Sequence, residues 1–210
     1  MQIDHWNHRK DVDGILVQLP LAPSIDPRKI MQAISPEKDV DGSHPENLGK
    51  LVMSDPSGFC PCTPLGIQTL LSYYNLSPQG QHVVIVGRSV TVGKPLALLL
   101  SQTGSNANAT VTLANRSTRD LAAICRSADI IIAAVGSPKL IQHQMVKDGA
   151  IVIDVGINRQ EGSKKLIGDV DFEEVEKKAS WITPVPGGVG PMTIASLLAN
   201  TVKSYSRTLK

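Results

Sequence analysis

Aromatic residues are scarce: two tryptophans, three tyrosines and two phenylalanines make up 3% of the 210-residue chain. With a formal net charge of +2 and no long basic run, there is no clustered positive surface for nucleic acid. Cysteine is scarce as well, limited to Cys60, Cys62 and Cys125. An odd, low count in a chain of this length argues against a disulfide framework and suits a reducing compartment. Cys60-Pro-Cys62 has no His or Cys pair at ligand spacing beside it, so it reads as two small, partly buried side chains in a loop. No metal site is expected. No apolar run approaches the roughly 18 residues of a membrane helix. The opening Met1-Gln-Ile-Asp-His-Trp6 lacks the basic, apolar, small-residue order of a signal peptide. No internal repeat or low-complexity segment appears.

What is present suits a globular α/β protein. Hydrophobic residues make up 41% and charged residues 19%, enough apolar side chain for a core in one large domain or two small ones. The middle of the chain alternates short apolar runs with helical patterns. His82–Gly87, Ala109–Leu113, Asp129–Gly136 and Ala150–Gly156 read as strands. The last two are almost wholly apolar, as strands buried on both faces of a parallel sheet are. Lys94 to Thr103 reads as a helix stopped by Gly104. Ser117-Thr-Arg-Asp120 reads as a capping box opening a helix through Arg126. Residues 76–186 thus read as a Rossmann-like, doubly wound parallel-sheet domain.

The flanks differ. Residues 13–19 of Asp13-Gly-Ile-Leu-Val-Gln-Leu-Pro-Leu21 read as one strand, with the Gln18 amide needing partners if buried and Pro20 ending it. Asp26-Pro27 opens a helix to about Ile34, and Thr63-Pro64 opens another through Tyr74. After Pro191, Met192, Ala195, Leu198, Ala199 and Val202 repeat at helical spacing. That helix is expected to cross back and pack on the N-terminal part, leaving a cleft between two domains.

Two loops carry chemistry. Gly87-Arg-Ser-Val-Thr-Val-Gly-Lys-Pro95 follows a strand and opens a helix, the place of a dinucleotide pyrophosphate, although its spacing is not G-x-G-x-x-G. The next strand ends Ala114-Asn-Arg-Ser117, with no acid for a ribose 2′-hydroxyl. Arg116 there, and Arg88 and Ser89 in the first loop, suit a 2′-phosphate, which favours NADP over NAD. The second loop, Thr183-Pro-Val-Pro-Gly-Gly-Val-Gly-Pro-Met-Thr193, mixes fixed and free backbone angles and lets main chain approach a flat ligand, or serves as a stiff hinge.

These stretches together resemble the bifunctional methylenetetrahydrofolate dehydrogenase/methenyltetrahydrofolate cyclohydrolase family. Those that match are DGILVQLPL, Glu37-Lys-Asp-Val-Asp-Gly42, Pro61-Cys-Thr-Pro64, Val86-Gly-Arg-Ser89 with Val92-Gly-Lys-Pro95, Ile153-Asp-Val-Gly-Ile-Asn158, Gly168-Asp-Val-Asp171 and Pro-Val-Pro-Gly-Gly-Val-Gly-Pro-Met-Thr. The resemblance implies oxidation of a reduced folate's methylene bridge by NADP, then hydrolysis of the methenyl cation to the 10-formyl compound.

The resemblance also implies roles. Gln18 and Asp41 are the catalytic candidates, Asp41 pairing with pterin N–H donors. Val17, Gln18, Leu19, Asp41, Pro186, Gly187, Gly188, Val189, Gly190 and Pro191 would line the folate site. Thr63, Gly87, Arg88, Ser89, Arg116 and Ile157 would serve the cofactor. The partners implied are tetrahydrofolate derivatives and a second copy in a homodimer, with no nucleic acid and no membrane. The location implied is cytoplasmic, or organellar if a targeting segment precedes Met1.

The family also places a Tyr-x-x-x-Lys motif upstream of DGILVQLPL, its lysine being the partner of Gln18. The twelve residues before Asp13 contain none, and Lys10, at the strand's entry, is expected in solvent. The expectation is an N-terminally truncated chain. Residues 1–75 would form an incomplete α/β folate domain, 76–186 the cofactor domain, and 187–210 the folate loop and returning helix. A cofactor-binding or dimer-partner module without catalysis is the alternative. A shikimate-type NADP dehydrogenase is disfavoured by the folate stretches.

Overall fold

The computed structural model describes residues 2–159 and 165–209, which form two compact units. One comprises Met1–Cys62 with Ile194–Lys210, the other Thr63–Thr193.

The first unit contains α1 (Gln2–His8), α2 (Pro27–Ala33) and α3 (Pro45–Val52). Asp26 caps α2 by accepting from the Arg28 N–H, with Pro27 at the first helical position. Ile3, Ile15 and Ile34 form a small core, flanked by Trp6, Val17 and Ile30. The Lys38 ammonium closes α1 by donating to the carbonyls of Trp6, Asn7 and Arg9 at 3.0, 2.8 and 2.6 Å. It thereby supplies donors to the orphan carbonyls of a helix C-terminus. The strand expected over 13–19 is reduced to a single parallel bridge, Ile15 with Asp39, closed by the Ile15 N–H on the Lys38 carbonyl at 2.7 Å. Only that point of the neighbouring segment keeps ladder register; the Leu19–Pro20 bond beyond it is cis.

In the second unit α4 (Cys62–Tyr73) leads into β1 (His82–Val86), α5 (Gly93–Leu100), β2 (Thr110–Ala114), α6 (Leu121–Arg126), β3 (Ile130–Ala133) and β4 (Ile151–Asp154). The short hairpin strands β5 (Asn158–Arg159) and β6 (Leu166–Ile167), α7 (Phe172–Val175) and β7 (Trp181–Ile182) follow. The sheet is parallel throughout, in the order β2-β1-β3-β4-β7. Strand side chains alternate between two cores. Val84, Val86, Ile131 and Val152 pack toward Cys125 and Val175, while Val83, Ile85, Ile130 and Ile132 pack toward Ile67, Leu96 and Leu100. Helices therefore cover both faces, the doubly wound arrangement that the apolar runs predict.

Several boundaries move. The helix predicted over 94–103 ends at Leu100, because the Leu100 carbonyl accepts from the Ala109 N–H at the entry to β2. Asp120, not Ser117, caps α6, accepting from the Ala123 N–H at 3.0 Å, while the Ser117 N–H donates to the Asn115 side chain. Thr63-Pro64 lies inside the first turn of α4, and Pro191 inside the first turn of the last helix, α8 (Val189–Thr208). Proline is tolerated there because its missing N–H would find no partner within the helix.

The residues of α8 in the first unit pack on it by a polar face and not by its periodic apolar residues. Leu198 and Val202 are 62% and 63% exposed, whereas Ser196, Asn200 and Ser204 are buried. Asn200 donates to the carbonyls of Val40 and Cys60 at 2.9 and 3.0 Å, and Ser204 to those of Asp13 and Glu37. Lys203 reaches the carbonyls of Pro56 and Gly58, and Lys203 and Arg207 lie over the Phe59 ring at 5.4 and 4.5 Å. Irregular backbone in this unit offers carbonyls that need donors, so a polar helix face fits it better than an aliphatic one.

Candidate active site

Within the second unit the chain winds from β1 outward to β2, then returns to place β3 on the other side of β1. This reversal is a topological switch point, and ligands of open parallel sheets bind beyond the carboxyl ends of the strands there. The turn after β1 is built for close backbone packing. Gly87 has φ +132°, and a Cβ on it would lie 2.1 Å from the Ala134 carbonyl oxygen. A Cβ on Gly93 would lie 2.0 Å from the Gly87 carbonyl oxygen. No larger residue fits either place, so the loop folds flat against the sheet and the start of α5.

Arg88 and Ser89 are exposed on this turn. The Ser89 hydroxyl accepts from the Val92 and Gly93 N–H groups at 3.1 and 3.4 Å, and its carbonyl from Lys94 at 3.0 Å. Ser89 therefore also shapes the entry to α5. Arg116, exposed beyond β2, donates to the Gly136 carbonyl at 3.3 Å. Ile157, 61% exposed, stands beyond β4. Gly87, Arg88, Ser89, Arg116 and Ile157 lie beyond the carboxyl ends of β1, β2 and β4. A tight glycine turn, an α-helix start and two exposed guanidiniums without an acid at the end of β2 fit a dinucleotide carrying a 2′-phosphate.

Thr63 lies elsewhere in this unit, near the start of α4, its hydroxyl 3.0 Å from that of Thr193. The Pro-Gly loop follows β7. Val185–Pro186 is cis, Pro186 and Gly187 are exposed, Gly188 and Gly190 half-buried, Val189 buried and Pro191 exposed. Gly187, Gly188 and Pro191 line an apolar cavity of about 670 Å³ with Leu70, Tyr74 and Trp181.

In the first unit Val17, Leu19 and Asp41 share a small recess with Ile15 and Asp39. Burial pushes the Asp41 carboxyl up from the ordinary carboxylate range; a hydrogen bond with the Cys62 thiol opposes this. Burial and the Asp41 carboxylate push that thiol up to about 12, so Cys62 is a neutral packing group. Gln18, read from the sequence as a folate-site amide, is not buried. It is exposed, and its side-chain N–H donates only to the adjacent Leu19 carbonyl, at 3.2 Å. With β-pairing limited to Ile15, nothing draws the amide inward. Lys10 is exposed as well.

Two buried acids escaped sequence reasoning. Asp169 accepts from the N–H groups of Val135, Gly136 and Ser137 at 2.6, 2.9 and 2.7 Å, and from the Asn158 side chain at 2.9 Å. Asp154 accepts from the N–H groups of Asp169, Val170 and Gly156 at 2.9, 3.0 and 3.1 Å. Burial pushes Asp154 up to about 6, the backbone donors opposing and the Asp169 carboxylate assisting. For Asp154 the available signal was an aspartate inside the otherwise apolar run Ala150–Val155.

The comparisons with known proteins agree with this geometry. Residues 61–209 match the NAD(P)-binding domain of tetrahydrofolate dehydrogenase/cyclohydrolase, and residues 1–41 match its catalytic domain. The chain belongs to this family. The bifunctional protein FolD of Nitratidesulfovibrio vulgaris is 57% identical over 199 residues, 95% of this chain and 68% of that protein. Among solved structures, the bifunctional methylenetetrahydrofolate dehydrogenase/cyclohydrolase of Campylobacter jejuni superposes with a TM-score of 0.93 at 53% identity, over 98% of this chain and 71% of that one. The Trypanosoma brucei FolD, complexed with NADP cofactor and inhibitor, superposes at 0.92 with 38% identity, over 100% of this chain and 72% of that one. Within the family, the turn at Gly87 belongs to the matched NAD(P)-binding domain, and the recess at Asp41 ends the matched part of the catalytic domain.

Proposed function

We propose that this protein oxidises 5,10-methylenetetrahydrofolate to the methenyl compound with NADP and hydrolyses that product to 10-formyltetrahydrofolate. The observation that carries the reading is the glycine turn at the switch point with Arg88 and Arg116 beside it, on a chain belonging to the family. NADP supplies the hydride acceptor when bound. The backbone of Gly87 and the α5 start hold the pyrophosphate, Arg88 and Arg116 take the 2′-phosphate, and Ile157 packs at the nicotinamide end.

On the family resemblance, the Asp41 carboxylate accepts from the pterin amino and ring N–H groups; the resemblance likewise assigns Gly187–Pro191 to the folate. Residues 1–75 and 187–210 serve the folate, residues 76–186 the cofactor. Gln18 enters the reading as an exposed amide free to turn toward substrate. Among the described residues no helix is long and apolar enough to cross a membrane. On the family resemblance alone we also propose a homodimer and a cytoplasmic location, which sedimentation and cell fractionation would test. For the catalytic reading, NADPH should form when the folded chain is mixed with NADP and 5,10-methylenetetrahydrofolate. Folded protein that yields no NADPH above the enzyme-free rate contradicts it.

A further inference from the structure

One buried side chain, Asp169, accepts hydrogen bonds from the loop that touches both Gly87 and Arg116. Residues 134–137 follow β3. On one side, the Ala134 carbonyl abuts Gly87, close enough to forbid a Cβ there. On the other, the Gly136 carbonyl accepts from the Arg116 guanidinium. Three successive N–H groups of this loop, from Val135 to Ser137, turn the other way and converge on the carboxylate of Asp169, whose residue is fully buried. Gly136 adopts φ +67°, which lets the loop present N–H groups inward while its carbonyl faces Arg116. Asp169 is fixed in turn, its own N–H held by Asp154 and its carboxylate steered by Asn158.

We propose that Asp169 is a positioning residue for NADP: by gathering the Val135–Ser137 amides it aims the Gly136 carbonyl, and that carbonyl orients Arg116 toward the 2′-phosphate. The inference rests on the NADP reading above and adds to it a residue that touches no ligand. The chemistry is specific to a carboxylate. Asparagine at this place would offer an NH₂ group to a set of N–H donors, so at least one loop amide would lose its acceptor. An amide left unpaired in this part-buried loop turns toward water, and the Gly136 peptide turns with it. Binding of NAD, which lacks the 2′-phosphate, does not use Arg116 and is affected less.

The test is calorimetric titration of NADP and NAD into wild type, Arg116→Ala, Asp169→Asn and the double variant. Arg116→Ala should lower the NADP:NAD affinity ratio by about tenfold or more, the loss of a charge-assisted contact. Asp169→Asn should lower the ratio in the same direction by roughly fivefold to tenfold. In the Arg116→Ala background, Asp169→Asn should leave the ratio unchanged. A purely structural role predicts equal loss of both ligands and no dependence on Arg116. If Arg116→Ala leaves the ratio intact, the assignment of Arg116 to the 2′-phosphate fails. If Arg116→Ala lowers it and Asp169→Asn does not, the present inference fails. Should Asp169→Asn not fold, Gly136→Ala distorts the same peptide with less risk. It should lower the ratio likewise, and an unchanged ratio overturns the proposal.

Discussion

The Cβ that Gly87 lacks would sit 2.1 Å from the carbonyl oxygen of Ala134, backbone against backbone, with φ +132° at the glycine. Neither atom can move without shifting β1 or β3. Gly87→Ala should therefore destabilise the fold by about 2 kcal/mol or more and abolish saturable NADP binding. Gly49, in α3 with nothing within 4 Å of its absent Cβ, provides the contrast. Gly49→Ala should stabilise by roughly 0.5–1 kcal/mol, because alanine loses less backbone freedom in a helix. Urea unfolding of both variants measures the difference; equal effects would contradict the steric account.

The polar packing of α8 makes a prediction opposite to that of its sequence pattern. Asn200→Ala strips a donor from the Val40 and Cys60 carbonyls and should cost about 2 kcal/mol. Leu198→Ala, on the exposed side, should change stability by no more than about 0.5 kcal/mol. The reverse order in denaturation midpoints would mean that the aliphatic face is the packed one.

Asp154 gives a pH dependence of defined sign. Its folded pKa of about 6 lies above the unfolded carboxylate value, so the folded chain holds a proton that the unfolded chain releases. The contribution to stability is present below about pH 4 and is lost as pH rises through about 6. Relative to Asp154→Asn, the wild type should lose roughly 2–3 kcal/mol between those limits. Denaturation across a pH series measures the gap between the two proteins; a gap that stays constant or moves the other way refutes the assignment.

Hydride transfer and hydrolysis should separate in these 210 residues. Hydride transfer depends on aligning two ligands. Hydration of the methenyl carbon needs a placed group to move protons, typically worth roughly 10²–10⁴ in rate. The sequence contains no Tyr-x-x-x-Lys. The ratio of dehydrogenase to cyclohydrolase rate should thus exceed that of the longer FolD relatives by about 10². Parallel assays on this chain and the Campylobacter jejuni enzyme would measure it, and equal ratios would show that another group in this chain manages the proton.

Legibility in the sequence followed burial. The Val- and Ile-rich runs at 83–86, 130–133 and 151–153 announce a parallel sheet because both faces are covered, and no other environment accepts them so readily. The tight turn after β1 was legible from Gly87 and Gly93 because its backbone geometry restricts residue type. The strand at 13–19 was not, since β-pairing depends on a neighbour that periodicity does not reveal. The exposure of Gln18 was hidden with it, for an amide's environment follows from its strand's partners. The packed face of α8 was hidden because carbonyls elsewhere in the chain, not its own pattern, select Ser196, Asn200 and Ser204. Asp169 looked like one acid of Gly168-Asp-Val-Asp171; its function lies in amides more than thirty residues earlier in the chain.

The most direct test of the account is calorimetric titration of the 210-residue chain with NADP and, separately, NAD. Arg88 and Arg116 stand exposed beyond the carboxyl ends of β1 and β2, with no acid directly after β2. The account predicts saturable, one-to-one binding of NADP with at least about tenfold preference over NAD, a preference reduced by raising ionic strength. Absence of NADP binding by folded protein, or tighter binding of NAD, would contradict it.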